Sequence, residues 1–150
     1  MRKNIFNEAD YQAILDRLNQ VSKDSRVLWG KMSPAQIMAH NTKVFAAYTG
    51  DVEIKVSWVA KLMKGVIAKT VLGDKPYGKS SPTLPIFVVD TELEFDQEKD
   101  NLLEKMKEFR KTDESYWQEY RHPLFGQLSQ EKIGWAMYKH LDHHLRQLGM

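Results

Sequence analysis

Three of the five histidines in this 150-residue chain lie in the short run His140-Leu-Asp-His143-His144. Helical periodicity extends through this run, and helical residues four apart lie on one face at a separation of about 6 Å. Because neutral imidazole binds zinc, nickel, copper and iron, His140 and His144 could share one metal ion. Hydrogen bonds to the backbone or to carboxylates are the alternative, since buried imidazoles need polar partners.

His40 adds a third imidazole from another predicted helix, where it lies on the core-facing flank between Ile37 and Val44. With His140 and His144 it would complete a three-nitrogen site that keeps open coordination positions. Water bound at such a site can have a pKa of about 7. The chain has no cysteine, so any transition-metal site must consist of nitrogen and oxygen ligands.

Two other motifs are weaker. Glu119-Tyr-Arg-His122 matches Glu-x-x-His, but a di-iron bundle needs two such motifs and Pro123 follows directly. Gly73-x-x-x-x-Gly78-Lys79-Ser80 matches the phosphate-loop pattern, which works only between a strand and a helix. Here a predicted helix precedes the motif and prolines follow it, so the sequence predicts a surface loop, with a lid role as an alternative.

Periodicity and capping residues predict the helices that would position the histidines. A first helix capped by Asn7 runs to about residue 21, and a second begins at the cap Ser33 and stops at Gly50. An amphipathic segment follows at 57–71, and a further helix over 97–111 has Asp96 as its cap. The last helix is capped by Ser129 and ends at Gly149.

The connecting segments are less regular. Glycines and prolines indicate a long loop at 73–85, residues 86–89 suggest a short extended piece, and 122–126 indicate a turn. Residues 112–120 fit either a connection or a helical extension. This pattern predicts an all-α fold, a four-helix bundle with an accessory helix and a long loop between the second and third bundle helices. In the helix at 97–111, the side chains expected to point inward are Leu102, Leu103, Met106 and Phe109.

Segment 54–73 contains four lysines and no acidic residue. Its lysines lie on one side of the predicted helix, which favours a packed helix with a solvated basic face. Attachment to an anionic membrane surface and attraction of an acidic substrate are the alternatives. The residues expected on the other side are Val59, Leu62, Met63, Val66, Ile67 and Thr70.

Composition indicates one ordinary domain spanning 1–150, with 42% apolar residues, 28% charged residues and a net charge of +2. This small charge and the lack of nucleic-acid motifs predict no nucleic-acid partner. We expect a cytoplasmic location and no membrane partner, because no signal-peptide pattern or spanning apolar run is found.

Two stretches resemble the signatures of a known superfamily. Trp29-Gly-Lys-Met-Ser-Pro-Ala-Gln-Ile-Met-Ala-His40 resembles the second-helix signature of the DinB/YfiT-like superfamily of metal-binding four-helix bundles. His140-x-x-His143-His144 followed by Arg146-Gln147 resembles its last-helix signature. Residues 122–149 most closely resemble an uncharacterised branch of that superfamily, catalogued as a domain of unknown function. The resemblance covers essentially the whole chain.

The resemblance implies that His40, His140 and His144 hold a divalent transition metal, zinc or nickel in the first place. His143 should then point about a quarter-turn away from His144. Relatives are often homodimers, so a homodimer is implied as well. Thiol-transferase members tend to have Arg-Gly-Gln directly after the histidine pair, whereas this chain has Leu145-Arg146-Gln147. Residues that could line a pocket or support the ligands are His143, Asn41, Trp29, Tyr48, Met137 and Arg146.

Two classes of function follow from these observations. The first is a metal-dependent enzyme acting on a small molecule, in which the metal activates a low-molecular-weight thiol, as in S-transferases, or water, as in hydrolases. The second is a bundle that binds a metal or small ligand without catalysis, or whose histidines are only structural. The sequence assigns neither a substrate nor a catalytic base.

Overall fold

The protein is predominantly helical in its computed structural model, which describes residues 2–150. Met1, which the predicted domain includes, lies outside the described residues. Among residues 2–150, two short antiparallel strands form the one sheet. The elements are α1 (Glu8–Gln20), α2 (Pro34–Thr49), α3 (Trp58–Leu62), α4 (Lys64–Leu72), a 3₁₀ turn (Pro85–Phe87), α5 (Phe95–Lys111), α6 (Glu114–Glu119), β1 (Arg121–His122), β2 (Gly126–Gln127) and α7 (Gln130–Gln147).

The caps predicted for α1, α2 and α7 are confirmed. Asn7 and Ser129 each accept a hydrogen bond from the backbone N–H three residues on. Ser33 and Gln36 form a reciprocal capping box at the start of α2. Gly50 ends α2 with φ +88°, a conformation in which a side chain would be strained.

The longer helices share one hydrophobic cluster of buried residues. α2 packs along α5, and α7 contacts both α1 and α2. At the α2–α5 contact the rings of Phe45 and Phe109 meet edge to face with centroids 5.0 Å apart. Arg17 on α1 also forms an ion pair with Asp142 on α7 at 2.8 Å. Leu102, Met106 and Phe109 are fully buried as predicted, and Leu103 is partly buried against the core.

The largest departure from the sequence prediction lies in the segment 57–71. It forms two helices, α3 and α4, that meet at Met63. Val59, Leu62, Met63 and Val66 are exposed rather than packed. The packed-helix interpretation is therefore wrong for this face, because the spacing of apolar residues defines a face without fixing its direction.

Other connections also differ from the prediction. The prediction of an extended piece at 86–89 is wrong for residues 86 and 87, which belong to the 3₁₀ turn Pro85–Phe87, whose proline restricts φ. Val88 after the turn is extended. α5 begins at Phe95 after the cap position Glu94, so Asp96 lies in the first turn and is not the cap. Residues 112–120 contain the separate helix α6, because Thr112 leaves the helical region at ψ 128°.

The turn predicted at 122–126 is confirmed as the loop of the small hairpin formed by β1 and β2. This hairpin departs from a strictly all-α fold. None of the helices described for residues 2–150 combines the length and hydrophobicity needed to cross a bilayer.

Candidate metal centre

Three histidines from two helices converge in the interior. His40 lies on α2, and His140 and His144 lie one turn apart on α7. The ring centroid of His40 lies 5.1 Å from that of His140 and 4.8 Å from that of His144. The centroids of His140 and His144 are 4.7 Å apart. One potential ligand atom from each ring lies within 4.8 Å of the other two. The sequence grouped these three residues, and their binding of a metal stays a prediction.

Hydrogen bonds fix the orientation of two of the rings. His40 Nδ1 lies 2.8 Å from the carbonyl oxygen of Phe87, so Nδ1–H donates to it. Gln147 Nε2 donates to the carbonyl of Trp29 at 2.7 Å, which turns its Oε1 toward His144 Nδ1 at 2.8 Å. In both histidines the proton therefore lies on Nδ1, and Nε2 keeps its lone pair for another partner.

The backbone that supplies these partners is itself anchored. Gln36 Nε2 donates to the carbonyl of Thr91, and Lys43 Nζ donates to the carbonyl of Val88, so the chain beside Phe87 is tied to α2. Gly30 approaches Gln147 so closely that an added Cβ would lie 2.7 Å from Gln147 Nε2. A glycine at position 30 thus allows the contact that orients His144.

His140 has no comparable partner. Its Nε2 is buried and makes no hydrogen bond within the described residues. Burial, followed by the nearby rings of His144 and His40, holds the pKa of His140 well below its usual value. Burial also lowers the pKa of His40, and burial with the charge of His40 lowers that of His144 to about 3. All three rings are therefore neutral near pH 7 and present lone pairs.

This donor set fits a divalent transition metal. Zinc binds imidazole nitrogen at about 2.0–2.1 Å, so nitrogens on one tetrahedral ion lie about 3.4 Å apart. The donor atoms lie within 4.8 Å of one another, so they must move together by about 1 Å. The unpartnered His140 Nε2 gives the arrangement a polar group that an ion would satisfy.

A cavity of about 430 Å³ opens beside the histidines. Trp29 and Tyr77 form aromatic walls, and Lys79 and Arg146 supply positive charge. His143 connects this cavity to the cluster, since its ring centroid lies 5.0 Å from that of His144 and 5.5 Å from that of Tyr77. A small anionic molecule with an apolar part would match this lining.

The pocket residues predicted from the sequence separate into two groups. His143, Trp29 and Arg146 line the cavity, and Arg146 also pairs with Asp142. The others lie elsewhere: Asn41 is buried and donates to the carbonyl of Ile37, Met137 lies in the hydrophobic core, and the ring of Tyr48 packs against those of Tyr120 and His122.

Several contributing groups were not identified from the sequence. The carbonyl of Phe87 acts through the backbone, so its side chain gives no signal. Tyr77 and Lys79 belong to the long loop, where no periodicity predicts direction. Gln147 could have been found, because it lies three residues after His144, on the same side of the helix.

Lys139 is a further residue that the sequence did not single out. Its side chain is buried, and Nζ donates to the carbonyls of Thr70 and Gly73 at 2.6 and 2.8 Å. The same Nζ lies 4.6 Å from the ring centroid of Tyr77. This lysine thereby fixes the end of α4 and one wall of the cavity to α7.

The two weaker motifs do not form their usual sites. Gly73 follows helix α4, and the residues after Ser80 lead to a 3₁₀ turn, so the context of a phosphate loop is missing from residues 2–150. His122 lies on β1, where its Nδ1 accepts from the backbone N–H groups of Leu124 and Phe125. It therefore stabilises the hairpin turn.

Comparison with known families gives one result. A family model described as a protein of unknown function (DUF1569) matches residues 4–149. No curated protein and no solved structure is significantly similar to the chain. The family description states no activity, so function must be argued from the site.

Proposed function

The chain belongs to DUF1569, a family of proteins of unknown function, and we propose that it is a metal-dependent enzyme with one divalent ion held by three histidines. The observation that carries this proposal is the buried His140 Nε2, which has no hydrogen-bond partner and lies beside two other oriented imidazoles. A purely structural histidine cluster would be expected to satisfy that nitrogen.

We further propose that the chain is a single four-helix-bundle domain of the DinB/YfiT-like type, with α1, α2, α5 and α7 as the bundle. The shared hydrophobic cluster of these helices supports this proposal, as do the two motifs that resemble that superfamily. A homodimer remains an expectation from the same resemblance, and a cytoplasmic location remains an expectation from the sequence pattern.

Zinc or nickel is the proposed ion, because three imidazoles without a thiolate suit both. When bound, such an ion supplies Lewis acidity that lowers the pKa of a thiol or water and so provides a nucleophile near neutral pH. The protein itself has no cysteine, so a thiol nucleophile would come from a low-molecular-weight co-substrate.

The residues around the ion would bind and orient the small-molecule substrate. Phe87 and Gln147 hold the rings of His40 and His144, so the ligand directions are set before binding. Lys79 and Arg146 at the cavity would attract a carboxylate on the substrate or co-substrate.

The first test measures metal content. Untagged wild-type protein should contain about one equivalent of zinc or nickel by mass spectrometry, and His40→Ala and His144→Ala should lose it while remaining folded. His122→Gln is the matched control, because this histidine lies in the hairpin outside the cluster. Wild-type protein that neither contains nor takes up metal would make the histidines structural.

The second test measures turnover. Metal-loaded protein should react a low-molecular-weight thiol with an electrophile, or else hydrolyse an ester or amide, and His144→Ala should abolish either activity. Lys79→Ala should raise KM for an anionic substrate more than for a neutral one. Stoichiometric metal without any turnover would indicate the alternative, a metal-binding protein without catalysis.

A further inference from the structure

The outward side of α3 and α4 is an exposed apolar face, here called the α3–α4 face. Large apolar side chains on ordinary surfaces are scattered singly, whereas these lie close together along one stretch of chain. The face consists of Trp58, Val59, Leu62, Met63 and Val66, which are 72%, 46%, 77%, 49% and 63% exposed.

These side chains lie on the outward sides of two helices that join at Met63. Met63 N–H donates to the Val59 carbonyl of α3, and Ile67 N–H of α4 donates to the Met63 carbonyl. At about 100° per residue, Trp58 and Leu62 lie on one side of α3, and Val66 on α4 is exposed as well. Ala60, which is buried, lies on the opposite side. The apolar side therefore faces away from the core.

Positive charge surrounds the α3–α4 face. Lys55, Lys61, Lys64 and Lys69 are exposed, and no acidic residue occurs between positions 54 and 73. Within residues 2–150, none of these four lysines takes part in an ion pair. The face thus combines exposed apolar side chains with lysines that form no ion pair, so it suits a partner that is both apolar and negatively charged.

We propose that the α3–α4 face docks onto the surface of an anionic phospholipid bilayer. Trp58 and Leu62 would enter the boundary between headgroups and acyl chains, while the lysines extend to the phosphates. A second copy of the chain fits less well, because a twofold axis through this face would bring two sets of four lysines together. This proposal is independent of the metal site.

For this segment the sequence favoured a packed helix over attachment to a membrane surface, because its apolar side was predicted to pack inward. The structure removes that reason, since this side faces solvent. α4 is held in this orientation at its end by Lys139, which donates to the carbonyls of Thr70 and Gly73. The docking face is therefore preformed.

Vesicle co-sedimentation of the full chain tests the proposal. The protein should bind vesicles of phosphatidylglycerol and not vesicles of phosphatidylcholine, and added salt should weaken the binding. Lys61→Gln with Lys64→Gln should reduce partitioning about 25-fold, or about fivefold for each lysine. Lys107→Gln with Lys111→Gln, on the exposed surface of α5, is the matched control and should change binding little.

The apolar part of the interaction needs its own variant. Trp58→Ser with Leu62→Ser should reduce partitioning more than about tenfold, because both side chains would otherwise be buried in the interface. Ile86→Ser is the control, since Ile86 is 38% exposed but lies outside the face. Thermal melting and metal content should be unchanged in each variant, which separates a binding defect from unfolding.

Three results would overturn the proposal. Wild-type protein that fails to bind phosphatidylglycerol vesicles removes the bilayer as a partner. Equal losses in the α3–α4 and α5 lysine variants would mean that only overall charge matters. The third result is a wild-type dimer, seen by light scattering, that does not bind vesicles. If Trp58→Ser with Leu62→Ser converted this dimer to a monomer, the face would be assigned to a second copy.

Discussion

The histidine cluster places polar rings inside the helical core, whereas the α3–α4 face leaves large apolar side chains in contact with solvent. His40 and His144 are 2% and 7% exposed, while Trp58 and Leu62 are 72% and 77% exposed. Each region reverses the usual distribution of polar and apolar groups. Most of the other large apolar side chains form one core.

The two regions differ in the way the reversal affects the free energy of folding. A buried polar atom without a hydrogen bond costs about 1–3 kcal/mol, so the unpartnered His140 Nε2 raises the free energy of the folded protein. An exposed apolar side chain forgoes about 1.5–3 kcal/mol of burial without adding strain. Both regions would be stabilised by a partner, an ion in the first case and a bilayer in the second.

The largest expected effect is a loss of metal affinity when a histidine of the cluster is replaced, compared with a neighbouring histidine on the same helix. His140→Ala should lower metal affinity more than about 100-fold, since loss of an outer partner of a ligand alone costs about 10–100-fold. His143→Ala, three residues on, should keep its metal and is the control. Competition titrations with a chromophoric chelator measure both, and full metal retention in His140→Ala would remove it from the ligand set.

A pair of leucine variants tests whether the α3–α4 face is exposed in solution. Leu102→Ala, at a fully buried position on α5, should lower the free energy of unfolding by about 2–5 kcal/mol. Leu62→Ala, at a 77% exposed position on α3, should change it by less than about 0.5 kcal/mol. Denaturant unfolding gives both values. A large loss in Leu62→Ala would mean that the α3–α4 face is packed in solution.

The pH dependence of the free energy of unfolding tests His122, which lies outside the histidine cluster and whose Nδ1 accepts two hydrogen bonds. Burial lowers the pKa of His122 to about 4, whereas the unfolded chain should titrate at about 6.5. The unfolded state therefore binds this proton first, and stability is lost as pH falls from 6.5 to 4. This contribution should amount to about 3 kcal/mol.

His122→Gln isolates that contribution, because glutamine has no titrating group while its carbonyl can still accept a backbone N–H. Urea unfolding at pH 7 and pH 4.5 should show a smaller drop for the variant than for the wild type. Parallel drops in the two proteins would contradict the assignment of a depressed pKa to His122.

The smallest of these effects concerns the support of one metal ligand. Gln147→Ala removes the acceptor for His144 Nδ1–H and the link to the Trp29 carbonyl. Metal affinity should fall about 10–100-fold by the same titration. Gln127→Ala, on the exposed strand β2, should leave the affinity unchanged. Equal affinity in the two variants would show that Gln147 does not orient the ligand.

Much of the helical framework followed from the sequence, because caps and periodicity act locally. Asn7, Ser33, Gly50 and Ser129 mark helix ends where they were predicted. The connections were predicted less well. The sequence did not predict the break at Met63 or the 3₁₀ turn at Pro85–Phe87, and it left residues 112–120, which contain α6, open between a connection and a helical extension.

The candidate site divides in the same way. Helical spacing and the resemblance of two motifs grouped His40, His140 and His144, and the structure brings their rings to within 5.1 Å centroid to centroid. The carbonyl of Phe87 lies 47 positions from His40, so no local pattern could predict that hydrogen bond. Tyr48 was expected near the pocket but packs against Tyr120 and His122.

The sequence by itself determined the helix ends, the amphipathic spacing and the pairing of His140 with His144, because each of these depends on residues within a few positions of one another. His40 lies on another helix and was added through its core-facing position and the resemblance. Only the tertiary structure decided which way each face points. Packing against α7 and the core left the apolar side of α3 and α4 in solvent and enclosed the histidines. Direction depends on which distant surfaces meet, and the spacing of residues along one helix does not contain that information.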